Sequence, residues 1–145
     1  MPQLSTADNE VWYQLYTPNR GSRYLTSQGV GSNTIGKEAN NYARSMWKFT
    51  ERADGKWNII NRQDNSYLNP AAAIDTAIST SETEPAAGWQ LSYANTTGLY
   101  IISSGTVQLN QTQEALGWKI YNWSSGNSGQ DRGDAGCQYK IDIVT

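Results

Sequence analysis

Apolar residues in this chain come in short bursts at a spacing of two, and the bursts recur. Tyr13-Gln14-Leu15-Tyr16, Trp57-Asn58-Ile59-Ile60 and Leu99-Tyr100-Ile101-Ile102 each place an aliphatic residue on a strand-like period. Leu15 to Ile59 is 44 residues and Ile59 to Ile101 is 42. A turn-rich tract follows each burst, Pro18-Asn19-Arg20-Gly21-Ser22, Gln63-Asp64-Asn65-Ser66 and Ser103-Ser104-Gly105. Second strands come next, in Arg23-Tyr24-Leu25-Thr26, Ser66-Tyr67-Leu68-Asn69 and Val107-Gln108-Leu109-Asn110. Ile35, Ile78 and Ile120, 43 and 42 apart, mark a third strand. Trp47-Lys48-Phe49, Trp89-Gln90-Leu91 and Tyr139-Lys140-Ile141 mark a fourth. Trp47 to Trp89 is 42 but Trp89 to Tyr139 is 50, and the surplus falls between Ile120 and Tyr139, so a loop is enlarged in the third repeat.

Five apolar positions recurring three times, with four short strands per unit, imply an all-β chain of twelve strands. A three-fold pseudosymmetric closed barrel with a hairpin cap, the β-trefoil, uses this arrangement and hides most strand edges. A sandwich of seven or more strands is the competing architecture. The Asp54-Gly55 turn between the Trp47 and Trp57 strands predicts a hairpin that joins consecutive repeats. No helix of useful length is expected, and Pro70-Ala71-Ala72-Ala73-Ile74 allows one helical turn at most. Residues 1–9 read as a polar tail or linker, and 10–145 as a single trefoil domain.

Composition changes this picture in two places. Ile, Leu, Val and Phe together number only 23 of 145 residues, so the core must draw on the six Trp and nine Tyr. The net charge of −2 and pI near 5.0, with no long basic run, remove the phosphate attraction that nucleic-acid binding needs. Histidine is absent, which excludes Ser-His-Asp and Cys-His catalysis and histidine-held zinc. The single Cys137 excludes an internal disulfide and a cysteine-cluster metal site, and reads as a small half-buried thiol. No cofactor is implied. No apolar stretch approaches the roughly 18 residues of a membrane span, and the first ten residues lack an export signal's basic and apolar regions.

On strand pattern and repeat length, residues 10 to 144 resemble the ricin-type β-trefoil lectin domain, a carbohydrate-binding module found alone and attached to secreted bacterial glycosidases. That family's Gln-x-Trp signature is degraded here to Ser45-Met46-Trp47, Ala87-Gly88-Trp89 and Cys137-Gln138-Tyr139. The resemblance implies a sugar site built from a polar residue after the second-strand aliphatic and an aromatic after the third-strand aliphatic. Carried over, the polar positions are Thr26, Asn69 and Asn110, and the stacking positions Gly36, Ser79 and Tyr121. Only the third repeat has both, which implies one sugar per chain. The residues themselves support the same place. In Trp118-Lys119-Ile120-Tyr121-Asn122-Trp123, a period of two puts Lys119, Tyr121 and Trp123 outward if Ile120 points in. With Asn110 and Gln138 they form the candidate carbohydrate site, beside the long loop 124–136. The competing reading has Tyr121 and Trp123 packed beneath that loop as anchors.

The remaining motifs carry bland readings. Arg132-Gly133-Asp134 is a chance tripeptide in a loop, and Asp131, Asp134, Asn127 and Gln130 lack calcium-loop spacing. Asn95, Asn110 and Asn122 head glycosylation sequons, which matter only in a eukaryotic secretory host. Asp54 and Asp64 read as turn residues and not as a glycosidase pair. The sequence therefore predicts a non-catalytic module that binds a glycan or oligosaccharide. It is expected to be tethered to a secreted, extracellular or periplasmic, glycan-processing protein with a linked catalytic domain. The alternatives are a protein-binding trefoil, acting as protease inhibitor or interaction domain, and a cytoplasmic lectin.

Overall fold

A computed structural model describes residues 1–38, 42–123 and 132–144. Among them are twelve strands, four per repeat. The first repeat holds β1 (Tyr13–Thr17), β2 (Arg23–Thr26), β3 (Ile35–Lys37) and β4 (Trp47–Glu51). The second holds β5 (Trp57–Asn61), β6 (Tyr67–Leu68), β7 (Thr80–Ser81) and β8 (Gln90–Tyr93). The third holds β9 (Tyr100–Ser104), β10 (Val107–Gln111), β11 (Ile120–Trp123) and β12 (Lys140–Ile143). Helix is limited to one-turn 3₁₀ pieces at Ala43–Ser45, Glu114–Leu116 and Ala135–Cys137, while residues 70–74 form bends and a turn.

Six strands close a barrel in the order β1, β4, β5, β8, β9, β12 and back to β1. Three junctions rest on a single residue pair, Tyr13 with Trp47, Trp57 with Trp89 and Tyr100 with Tyr139, the last two exchanging both backbone hydrogen bonds, at 2.9 and 2.8 Å and at 2.8 and 2.9 Å. The hairpins β2–β3, β6–β7 and β10–β11 form the cap. At its centre the Thr34 N–H donates to the Ile78 carbonyl (2.7 Å), Ile78 to Ile120 (2.9 Å) and Ile120 to Thr34 (3.2 Å), a ring of three hydrogen bonds around the pseudo-threefold axis. The fold is a β-trefoil. The Asp54-Gly55 turn joins β4 to β5 as expected, Gly55 taking the left-handed φ of +80° that a side chain would resist.

The registers correct two of the repeat alignments. Leu15 pairs with Ile141, Ile59 with Phe49 and Ile102 with Leu91, so the third member of the inner triplet is Ile102 and not Ile101. The ring at the axis takes Thr34, not Ile35, as the counterpart of Ile78 and Ile120. Thr34 escapes a search for aliphatics because it is polar. It is nonetheless fully buried, its hydroxyl satisfied by the Ile78 carbonyl at 2.8 Å. The core stacks these residues with Leu25, Leu68 and Leu109 and with Trp47, Trp89 and Tyr139. Nor do residues 1–9 behave as a free tail: Leu4 packs against the core, and buried Ser5 donates its N–H to the Phe49 carbonyl (2.7 Å) and bonds both backbone groups of Val11 through its hydroxyl.

The aromatic layer breaks the symmetry. Trp47 Nε1 donates to the Leu25 carbonyl (2.9 Å) and Trp89 Nε1 to the Leu68 carbonyl (3.0 Å), whereas the buried Tyr139 hydroxyl has no partner among the described residues. Burial pushes the Tyr139 phenol well above its ordinary value, so the folded state holds that proton longer than the unfolded chain does. Its contribution to stability is complete below pH ~10 and is lost as pH rises beyond that value. Tyr139→Phe should therefore leave neutral-pH stability unchanged or raised by about 1 kcal/mol, with a shallower fall above pH ~10, while Trp47→Phe should cost about 1–3 kcal/mol. Urea unfolding of both variants between neutral and alkaline pH measures this.

Candidate functional site

Beside the first cap hairpin lies a pocket of about 500 Å³, walled by Thr26, Ser27, Gln28, Lys37, Tyr42 and Arg44. Three local devices shape it. The end of β2 is tied to the 3₁₀ turn by the Ser27 N–H donating to the Arg44 carbonyl (2.8 Å), which also accepts from Asn61 Nδ2 (2.9 Å). Tyr42 precedes that turn in extended backbone, and its carbonyl accepts from Ser45 N–H and Oγ, both at 2.9 Å. With its backbone so used, the Tyr42 ring stands out into solvent, 60% exposed. Gly36 lets β3 lie flat on the third repeat, since a Cβ there would sit 1.9 Å from Gln111 Oε1, and the next residue, Lys37, is delivered to the pocket rim.

The rim is cationic. Lys37 and Arg44 are exposed and, among the described residues, in no ion pair or side-chain hydrogen bond. The neighbouring carboxylate, Glu38, is drawn 3.4 Å from Arg23, whose guanidinium also stacks 4.0 Å over Trp118. Gln28 donates through Nε2 to the Asn33 carbonyl (2.8 Å), which leaves its amide oxygen free to accept.

In the third repeat the expected alternation holds. Ile120 and Asn122 are buried, Tyr121 and Trp123 half-buried and Lys119 exposed, with Tyr121 directly opposite Asn110 in the β10–β11 register. The two amides assigned to the site are not presented to a ligand. Asn110 is 8% exposed, its Oδ1 lies 3.7 Å from Cys137 Sγ, and the chain closes on it so tightly at Gly136 that a Cβ there would come within 2.2 Å of that oxygen. Gln138, 4% exposed, accepts from Asn19 Nδ2 and donates to the Arg132 carbonyl, both at 2.9 Å. Close packing of the third 3₁₀ turn on β10 thus turns both side chains into structural bonds, and Cys137 is fully rather than half buried. Residues 124–131 of the long loop, with Asn127, Gln130 and Asp131, lie outside the described residues.

The corrected axis register also moves the first-repeat stacking position from Gly36 to Ile35, which bridges Lys119 as Ser79 bridges Asn33 and Tyr121 bridges Ala77. Tyr42 and Arg44 were missed because they come from the irregular stretch between β3 and β4, where no period draws the eye, and Lys37 because it is the exposed last residue of the short strand β3. An aromatic in a polar tract was the only signal. Of the other motifs, Arg132 bonds Ser92 Oγ (2.9 Å) and Asp134 pairs with Arg20 (3.5 Å), so the charged ends of that tripeptide are tied down. Buried Asn122 donates to the Ala71 and Ala73 carbonyls, so the sequons of Asn110 and Asn122 both centre on buried amides. Asp54 accepts from Arg52 and from the Lys56 N–H, bonds that hold its carboxyl below the usual range, and Asp64 accepts from Ser66, as turn residues do.

Solved structures of low identity share the fold. A ricin B-like lectin of Macrolepiota procera, solved in complex with lactose, is 13% identical, with 97% of this chain and 99% of that chain covered and a TM-score of 0.74. The designed three-fold symmetric protein ThreeFoil is 17% identical over 92% of this chain and 99% of its own, at 0.72. The Clostridium perfringens endo-β-galactosidase that releases GlcNAcα1-4Gal is 13% identical over 93% of this chain and 33% of its own, at 0.73. No protein-family model and no curated protein matches the chain. Gln138→Ala should cost about 1–2 kcal/mol through its two lost buried bonds, and Tyr42→Ala less than about 0.5 kcal/mol, in denaturant unfolding.

Proposed function

We propose that this chain is a non-catalytic carbohydrate-binding module whose sugar lodges in the first-repeat pocket. The observation that carries the reading is the Tyr42 ring, exposed at the edge of a concave site that also presents the Gln28 amide, the Lys37 ammonium and the Arg44 guanidinium. A pyranose offers a face of C–H bonds that packs on such a ring, and a hydroxyl rim that needs nearby donors and acceptors. The β-trefoil likenesses to a lactose-bound lectin and to part of a galactosidase support the same class. The outward residues Lys119, Tyr121 and Trp123 favour a second reading, a platform on the third repeat.

The endo-β-galactosidase match, which covers a third of that enzyme, supports a module that works beside a glycan-processing domain, which we take to be secreted. Tethering of that kind raises the effective concentration of a weak monovalent site. A native gene without an export signal would favour a cytosolic lectin instead.

Glycan-array binding followed by isothermal titration tests the site. Tyr42→Ala should weaken binding by about 1–3 kcal/mol without loss of stability, and Tyr121→Ala or Trp123→Ala should change it little. Loss confined to Trp123→Ala would move the site to the third repeat. Protease inhibition with no glycan bound would replace the module by the protein-binding alternative.

A further inference from the structure

We infer that the first-repeat pocket selects saccharides bearing an anionic group, a carboxylate or a sulfate ester, over neutral ones of the same backbone; the inference rests on the carbohydrate-binding reading above and names its ligand class. Five of the chain's other cations sit in ion pairs, Arg20 with Asp134, Arg23 with Glu38, Lys48 with Glu10, Arg52 with Asp54 and Lys140 with Asp142. Lys37 and Arg44, like Lys56, Arg62 and Lys119, are in no ion pair among the described residues, but these two border one pocket, and no carboxylate is among the described residues that line it. The carboxylate nearest in sequence, Glu38, is held on Arg23.

Two cations that line one concave pocket without an ion pair raise the local potential above that of an open surface. A guanidinium offers a planar fork that matches carboxylate and sulfate oxygens, and an ammonium supplies a second, freely rotating donor. A neutral pyranose uses the Tyr42 ring and the Gln28 amide but leaves both charges unanswered. An acidic pyranose answers them and keeps its C–H face on the ring. Because Lys37 and Arg44 stay solvent-exposed in the free protein, binding pays little new desolvation for them.

The test is an array of matched neutral, uronic-acid and sulfated oligosaccharides over several backbones, read at low and high salt. The protein should bind the acidic members roughly tenfold more tightly than their neutral partners in low salt, with most of that preference lost near 0.5 M salt. Lys37→Gln with Arg44→Gln should abolish the preference, and Lys140→Gln, in an exposed pair on β12, should retain it. The uronate and sulfate arms identify which anion is favoured. Equal binding of acidic and neutral members, or a preference that survives the double variant, overturns the inference and leaves the module reading intact. Binding to no member of any backbone overturns the module reading itself.

Discussion

Everything in this molecule depends on closing backbone hydrogen bonds into rings. The six-stranded barrel has no free edge, and the cap is pinned where Thr34, Ile78 and Ile120 pass hydrogen bonds around the axis at 2.7, 2.9 and 3.2 Å. A chain with so few aliphatic residues cannot rely on a large oily core. It relies on leaving few backbone donors unpaired, and on aromatic rings that fill volume while reaching a polar partner. The ring also sets a tolerance: each repeat must deliver its axis residue to the same height, whatever its loops do.

That tolerance explains why the repeats can diverge so far. Trp47 and Trp89 close their layer through indole bonds to Leu25 and Leu68, and Tyr139 occupies the third place without such a bond. The inner triplet of Leu15, Ile59 and Ile102 conserves volume at the centre of the barrel, while the segments outside are free to specialise. The first repeat leaves a pocket beneath its 3₁₀ turn. The third draws the corresponding turn down onto Asn110, with Gly136 supplying the space.

The asymmetry between the first and third repeats follows from this difference in packing and not from the strand pattern. A polar residue after the second-strand aliphatic is present in every repeat, but in the third it is spent on Cys137 and the closing turn. Lys37 and Arg44 keep their charges available because Arg23, sandwiched between Glu38 and Trp118, takes up the neighbouring carboxylate. The ion pair that occupies the carboxylate lies within the first repeat, and the arginine that makes it also stacks on Trp118 of the third.

The sequence by itself determined the strand count, the threefold repeat, the aromatic core and the alternation that turns Tyr121 and Trp123 outward. These are properties of period and composition, and the period of a strand survives in the chain whatever surrounds it. Only the tertiary structure decided that Thr34 rather than Ile35 sits on the axis and Ile102 rather than Ile101 faces inward. A polar threonine becomes a core residue when a carbonyl from a distant repeat receives its hydroxyl, and adjacent isoleucines can be told apart only by register with the facing strand. The pocket was equally out of reach. Its residues come from three separate places in the first repeat, and the carboxylate next to Lys37 is paired with Arg23, a residue that only the folding of β2 beside β3 brings to it.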